Sequence, residues 1–243
     1  MVCCEVFSAR LQARNLYTNA AALIIMPHSS RGLRGIGGIP RMANVFHGSG
    51  LYYAYKSIAA PGEYFWWRLR GSRSLRIPHL VKQRAVAQFA REFDLHILVE
   101  TGTHFGQMLN AQKNLFREIH SIEMDSWKVR LAKKRFARCQ NIRIYEGDSA
   151  KVLPEVITKI KEPCLFWLDA HDGDRSSPIR AELDCIYKHP VAGHVMLIDD
   201  APCFDGRTDY PKVEELQRQA AAEYPGCVAE VKEGIIRIYR PKA

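Results

Sequence analysis

An α/β architecture, with strands and helices alternating into a doubly wound sheet, is the fold class this sequence predicts, and three observations predict it. From Leu95 onward, short apolar runs alternate five times with segments of helical periodicity. The run Leu98-Val-Glu-Thr-Gly-Thr-His-Phe-Gly106 is a strand feeding a glycine-relieved turn and a helix N-terminus. Finally, two strand patterns, Cys227–Lys232 and Ile235–Tyr239, are joined by Glu233-Gly234, a hairpin turn. Such alternation means a parallel sheet covered on both faces, with ligands at the carboxyl ends of the strands. Five strands plus the hairpin make seven.

In chain order, residues 1–41 come first and look unlike the rest. The stretch from Ser29 to Pro40 is rich in glycine and arginine and has no useful period, so it reads as flexible. The alternatives are a start placed too early, since Met26 and Met42 both offer later ones, and a genuine basic tail. Residues 42–93 form an aromatic and basic cap with a lead-in helix. Phe46, Tyr52, Tyr53, Tyr55, Tyr64, Phe65, Trp66 and Trp67 cluster in it. They read as rings packed on the main core, or as a lid or surface patch for a partner or a membrane face aided by Arg68, Arg70, Arg73 and Arg76. Leu80, Val81, Ala85, Phe89 and Phe93 then have helical spacing within 78–93.

Residues 94–243 carry the alternating units. Strands are expected at 95–100, 118–123, 141–146, 164–169 and 194–199. Helices are expected at 104–117, 125–139, 149–160, 177–189 and 211–224. Ser177 followed by Pro178 supplies a helix start signal for the fourth of these.

Charge is unevenly spread. Residues 1–93 hold 13 Lys/Arg and 3 Asp/Glu, or +10, leaving 22 and 23, or −1, for residues 94–243 out of the totals of 35 and 26. The near-neutral second part argues against a polyanionic substrate gripped by its rim, so nucleic acid is disfavoured as a partner. The seven cysteines include no C-x-x-C pair and no metal-type spacing. Cys164 and Cys185 read as small buried hydrophobes, and all seven as reduced thiols of a cytoplasmic protein. No run approaches the ~20 apolar residues that span a bilayer.

The glycine turn is not the dinucleotide fingerprint G-x-G-x-x-G. Its form, E-x-G-T-x-x-G over Glu100, Thr101, Gly102, Thr103 and Gly106, resembles the first motif of class I S-adenosylmethionine-dependent methyltransferases. The strand Ile119–Glu123 ends in an acid about twenty residues beyond the glycines, placed to accept ribose hydroxyl protons. The next strand ends in Gly147-Asp148-Ser149, where the methyltransferase pattern meets the adenine amino group. A purely structural reading, in which Glu123 and Asp148 cap the helices that follow them, competes for each acid alone. The resemblance covers roughly residues 95–240 and implies a Rossmann-like sheet of seven strands, the last antiparallel, that binds S-adenosylmethionine.

A second constellation lies on the same rim. Strand four ends on Asp169, followed by His171, Asp172 and Asp174, and strand five ends on Asp199-Asp200. Carboxylates so close repel unless paired with a cation or protonated, and two or three of them plus waters suit Mg²⁺ or a similar hard divalent ion. The arrangement resembles the metal-dependent O-methyltransferases of the catechol and macrolide-sugar types, which implies Asp169, Asp199 and Asp200 as metal ligands. The catechol type carries a lysine three residues after its strand-four Asp, where this chain has Asp172. That leaves His171, with Asp169 beside it, as the candidate catalytic pair, or His171 as a group orienting Asp169. The acceptor implied is a small hydroxylated molecule, a glycan or a natural-product precursor. A non-catalytic adaptor docking through the aromatic N-terminal part is the alternative function, and self-association is compatible with either.

Overall fold

The computed structural model describes residues 50–69, 77–170, 177–207 and 209–242. Two helices, α1 (Gly50–Leu69) and α2 (His79–Phe93), precede the sheet. Then follow β1 (Ile97–Thr101), α3 (Gln107–Gln112), β2 (Glu118–Glu123), α4 (Ser126–Arg135), β3 (Ile142–Glu146) and α5 (Ser149–Ile157). The chain continues through β4 (Leu165–Leu168), α6 (Ile179–Tyr187), β5 (Val195–Ile198), a 3₁₀ turn (Ala201–Cys203), α7 (Val213–Glu223), β6 (Val228–Lys232) and β7 (Ile235–Tyr239). The seven strands form one sheet in the order β3-β2-β1-β4-β5-β7-β6. Only β7 runs against its neighbours, β5 and β6. Both residues of the hairpin turn, Glu233 (φ 54°) and Gly234 (φ 67°), are left-handed, the conformation whose twist matches two antiparallel strands. The doubly wound sheet with its antiparallel final strand is therefore the one expected.

Two-residue alternation along each strand builds a core on both faces. Ile97, Val99, Phe166, Leu168, Met196 and Ile198 point to the face that also buries Leu153, Leu183 and Leu216 of α5, α6 and α7. Leu98, Leu165, Trp167, Val195 and Leu197 point the other way, onto Val86 and Phe89 of α2 and Leu109 of α3. Strands β4 and β5 are buried along their whole length, which is why they read as continuous apolar runs.

Differences from the expected boundaries have local causes. The helix expected over 104–117 is confined to Gln107–Gln112. His104 is left-handed (φ 48°), and the Asn141 amide donates to the carbonyls of Lys113 (2.8 Å) and Phe116 (2.9 Å), ending the helix and turning Phe116 into the core. Pro178 lies at the N-cap of α6, one residue before its expected place, while the Ser177 hydroxyl accepts weakly from the Ile179 N–H (3.4 Å). Of the cysteines, Cys164 is buried and Cys185 only half-buried, both as free thiols.

The aromatic helix divides its residues. Trp67 is buried, and Tyr64 stacks on it at 6.2 Å while Arg84 of α2 lies over the Tyr64 ring at 4.4 Å. Phe65, Trp66 and Leu69 are 58–61% exposed, so packing on the core accounts for only part of this cluster. Between β5 and α7, Phe204 and Tyr210 are buried edge-to-face at 5.1 Å. No described helix is long and apolar enough to cross a membrane.

At the amino end of β4 and β5, buried His194 pairs with half-buried His189. His194 Nδ1 accepts from the Cys164 N–H (3.1 Å) and Nε2 lies 2.9 Å from His189 Nδ1. Burial, then the His189 charge, pull His194 down to about 4. The native protein thus refuses a proton that the unfolded chain accepts below its ordinary value of 6.5. Stability from this group is present at neutral pH and drains away as pH falls from about 6.5 to about 4. His194→Asn, which keeps an acceptor for Cys164, is expected to show a flatter decline in melting temperature across that window than the native chain; equal slopes would exclude His194 as the cause.

Candidate functional site

Strand order reverses between β1 and β4, since the chain leaves β1 towards β2 on one side and returns to pair β4 on the other. Connections diverge there and leave a crevice beyond the carboxyl ends of the strands. A cavity of about 850 Å³ opens at that point. Of the residues singled out by sequence, Glu100, Gly102, Thr103, Glu123, Asp148, Ser149 and Asp169 line it. Thr101 and Gly106 do not. Thr101 is buried in β1, where its carbonyl accepts from the Asp169 N–H (3.0 Å), and Gly106 sits at the start of α3 against the Phe136 ring. His171 lies outside the described residues.

The turn after β1 is shaped by close approach. Gly102 has φ 86°, its N–H donates to Ile122 O at 2.9 Å, and a Cβ there would lie 2.4 Å from the Asp169 carbonyl oxygen. No side chain fits. Behind the turn runs a buried chain of polar groups. Thr103 Oγ1 donates to Ser121 Oγ (2.5 Å), which in turn donates to Glu100 Oε2. Burial, reinforced by the Glu123 charge and opposed by the Ser121 hydrogen bond, pushes Glu100 up to about 8.

Glu123 is fixed by backbone rather than by a side-chain partner. Its Oε2 accepts from the His104 N–H (2.7 Å) and its Oε1 from the Asp125 N–H (2.9 Å). The helix that follows is capped by Asp125, which accepts from Trp127 and Lys128, so Glu123 is not the cap. Asp148 does cap, accepting from the Ala150 N–H at 3.0 Å, while also lining the cavity. The buried Ser149 hydroxyl beside it has no hydrogen-bond partner.

The three aspartates converge as expected, with a carboxylate oxygen from each of Asp169, Asp199 and Asp200 lying within 4.8 Å of the others. Asp199 is buried, and its Oδ1 accepts from the Asp200 N–H at 2.7 Å. Asp200 is left-handed (φ 50°), a turn that brings consecutive carboxylates to one place.

A residue the sequence reading passed over completes the group. Lys82 of α2 reaches across 117 positions to pair with Asp199 Oδ2, and its Nζ lies 3.4 Å from Asp200 Oδ1. Burial alone would lower the Lys82 pKa, but Asp199, Asp200 and Asp169 together hold it above its usual value. Burial raises Asp169 and Asp199 above the ordinary carboxylate range; Asp199 adds to the rise at Asp169 and Asp200 to that at Asp199, each against the pull of Lys82. Among the described residues, the Lys82 ammonium pairs with Asp199 and approaches Asp200. The signal for Lys82 was present in sequence, because it lies on the stripe Lys82, Ala85, Val86, Phe89 that α2 buries.

No protein-family model and no curated protein matches the sequence. Solved structures do resemble the fold. The O-methyltransferase TomG from Streptomyces achromogenes, involved in tomaymycin synthesis and in complex with SAM, aligns at 17% identity over 76% of this chain and 89% of that one, with a TM-score of 0.52. An O-methyltransferase from Bacillus cereus in complex with SAH aligns at 15% identity, 66% and 81% coverage and a TM-score of 0.50. A methyltransferase from Geobacter sulfurreducens gives 13%, 87% and 100%, and 0.50. The chain has the fold of the class I S-adenosylmethionine-dependent methyltransferases.

Two substitutions probe this geometry. Gly102→Ala is expected to cost at least ~1–2 kcal/mol from its left-handed backbone alone, and more from the clash with Asp169, as read by chemical denaturation. Glu100→Gln removes a group that keeps its proton when folded but sheds it above about 4.5 when unfolded. The native chain therefore loses stability from Glu100 as pH rises from about 4.5 to about 8, and the variant is expected to lose that downward slope.

Proposed function

We propose that this protein is an S-adenosylmethionine-dependent methyltransferase that O-methylates a small hydroxylated or sugar-containing acceptor with help from Mg²⁺ or a similar divalent ion. The observation that carries the reading is the meeting of Gly102, Glu123, Asp148 and Asp169, from four strand ends, on one cavity. Its volume of about 850 Å³ suits a nucleoside cofactor together with a small acceptor.

The residues fit the cofactor. Gly102 presents bare backbone where a bulky ligand must come close. Glu123 has one backbone N–H on each oxygen, which locks the carboxylate and leaves lone pairs for the ribose hydroxyls. Asp148 and the unpartnered Ser149 hydroxyl stand where the adenine edge would be read. Asp169, Asp199 and Asp200 fit a hard divalent ion in donor type and number.

When bound, the cofactor supplies an electrophilic sulfonium methyl, and the ion supplies Lewis acidity that lowers the pKa of an acceptor hydroxyl. The protein's own part is alignment. Gly102 and Glu123 hold the nucleoside end at β1 and β2, and Asp169 marks the acceptor end at β4, with the wall of α2 and Trp167 beside it to exclude water. The proton acceptor we propose is His171.

Isothermal titration with S-adenosylmethionine and S-adenosylhomocysteine is expected to give saturable heat; a well-folded protein silent to both would sink the cofactor reading and favour the adaptor. Asp199→Asn is expected to lower methyl transfer to a panel of catechol and sugar acceptors by about 10²-fold or more while cofactor still binds. Undiminished transfer in excess chelator would leave the aspartates structural.

A further inference from the structure

The position of Lys82 bears on how the aspartates take up an ion. Its backbone is fixed by α2, whose Val81, Ala85, Val86 and Phe89 are buried. Its ammonium lies on Asp199 Oδ2 and 3.4 Å from Asp200 Oδ1. Lys82 and Asp169 line the cavity, whereas Asp199 and Asp200 do not. An ion arriving from the cavity therefore meets Lys82 before it meets those two carboxylates. A divalent ion draws its oxygen ligands to roughly 2.0–2.6 Å and would hold its charge within a few ångströms of the ammonium, beside an Asp199 carboxylate that is shielded from water. Oxygen lone pairs given to Nζ–H are not available to the ion.

We propose that the Lys82 ammonium and a divalent cation are alternative occupants of the Asp199–Asp200 carboxylates, so that metal binds by displacing the lysine. This rests on the metal half of the function above and is independent of its cofactor half. Lys82 is a positioning residue here: it holds the carboxylates together and balances part of their charge while no ion is present. It also sets a threshold, because only a cation that outcompetes a tethered ammonium enters. The displaced side chain has an outlet, since it already lines the cavity.

The test is Mn²⁺ binding, read from loss of the free-ion electron paramagnetic resonance signal, with neither acceptor nor turnover required. Lys82→Met is expected to bind Mn²⁺ about tenfold or more tighter than the native chain, because a buried competing charge pair no longer has to be broken. Asp199→Asn should weaken binding and so locate the ion at this site. Equal or weaker binding by Lys82→Met overturns the proposal, as does absence of Mn²⁺ binding in both proteins. In the latter case saturable heat with S-adenosylmethionine would leave the cofactor reading standing. Loss of the lysine leaves a buried carboxylate without its partner, so a second measurement uses the native chain. Reductive methylation of Lys82, followed by mass spectrometry against exposed Lys151, should be slow without ion and severalfold faster with saturating Mn²⁺. Unchanged labelling with Mn²⁺ bound would overturn the proposal whether or not the variant folds.

Discussion

The backbone of the turn after β1 passes so near the end of β4 that even one methyl group at Gly102 would lie 2.4 Å from the Asp169 carbonyl oxygen. This approach holds the crevice together. The same stretch of β1 carries the Thr101 carbonyl that receives the Asp169 N–H, so the two strand ends are spliced by a hydrogen bond on one residue and by steric contact on the next. From that junction Glu123 and Asp148 lie towards β2 and β3, and Asp199 and Asp200 towards β5. A bulkier turn would push the loop after β1 off the rim and separate the two halves of the cavity.

Burial of acids on this rim creates the site's electrostatic character. Glu100 is screened from water by the sheet and is hydrogen-bonded through Ser121 to Thr103, which tightens the turn without an ion pair. Asp169 and Asp199 lie close to Asp200, and Lys82 pairs with Asp199 among them. Such an arrangement costs stability in the folded chain and is characteristic of places where binding, rather than folding, sets the choice of residue. Glu123 is the contrast: two backbone N–H groups satisfy it, so its orientation is fixed before any ligand arrives.

The N-terminal helices play unequal parts. Helix α2 belongs to the core, covering one face of the sheet with Val86 and Phe89 while sending Lys82 over the rim. Helix α1 is tied down by Trp67, by Tyr64 and by Arg84 lying on the Tyr64 ring, yet shows Phe65, Trp66 and Leu69 to solvent. Aromatic content alone did not distinguish these neighbours, because consecutive residues of a helix point in directions about 100° apart.

The order of strands and helices, the antiparallel close and the identity of the acids at the strand ends were legible in the chain itself, because periodicity and turn chemistry are written over a few adjacent residues. The approach at Gly102 was legible there too, since a glycine between strand and helix has a local reason to be there. The state and company of those acids emerged from the folded arrangement. Glu100 and Glu123 look alike in sequence, but one is desolvated and the other is held by two backbone donors. Capping fell to Asp125 rather than Glu123 because it depends on the backbone direction of the helix start. Lys82 joined the aspartates from 117 positions away, and that pairing follows from α2 packing across the sheet. Long-range burial and charge are properties of the assembled surface, and no window of neighbouring residues contains them.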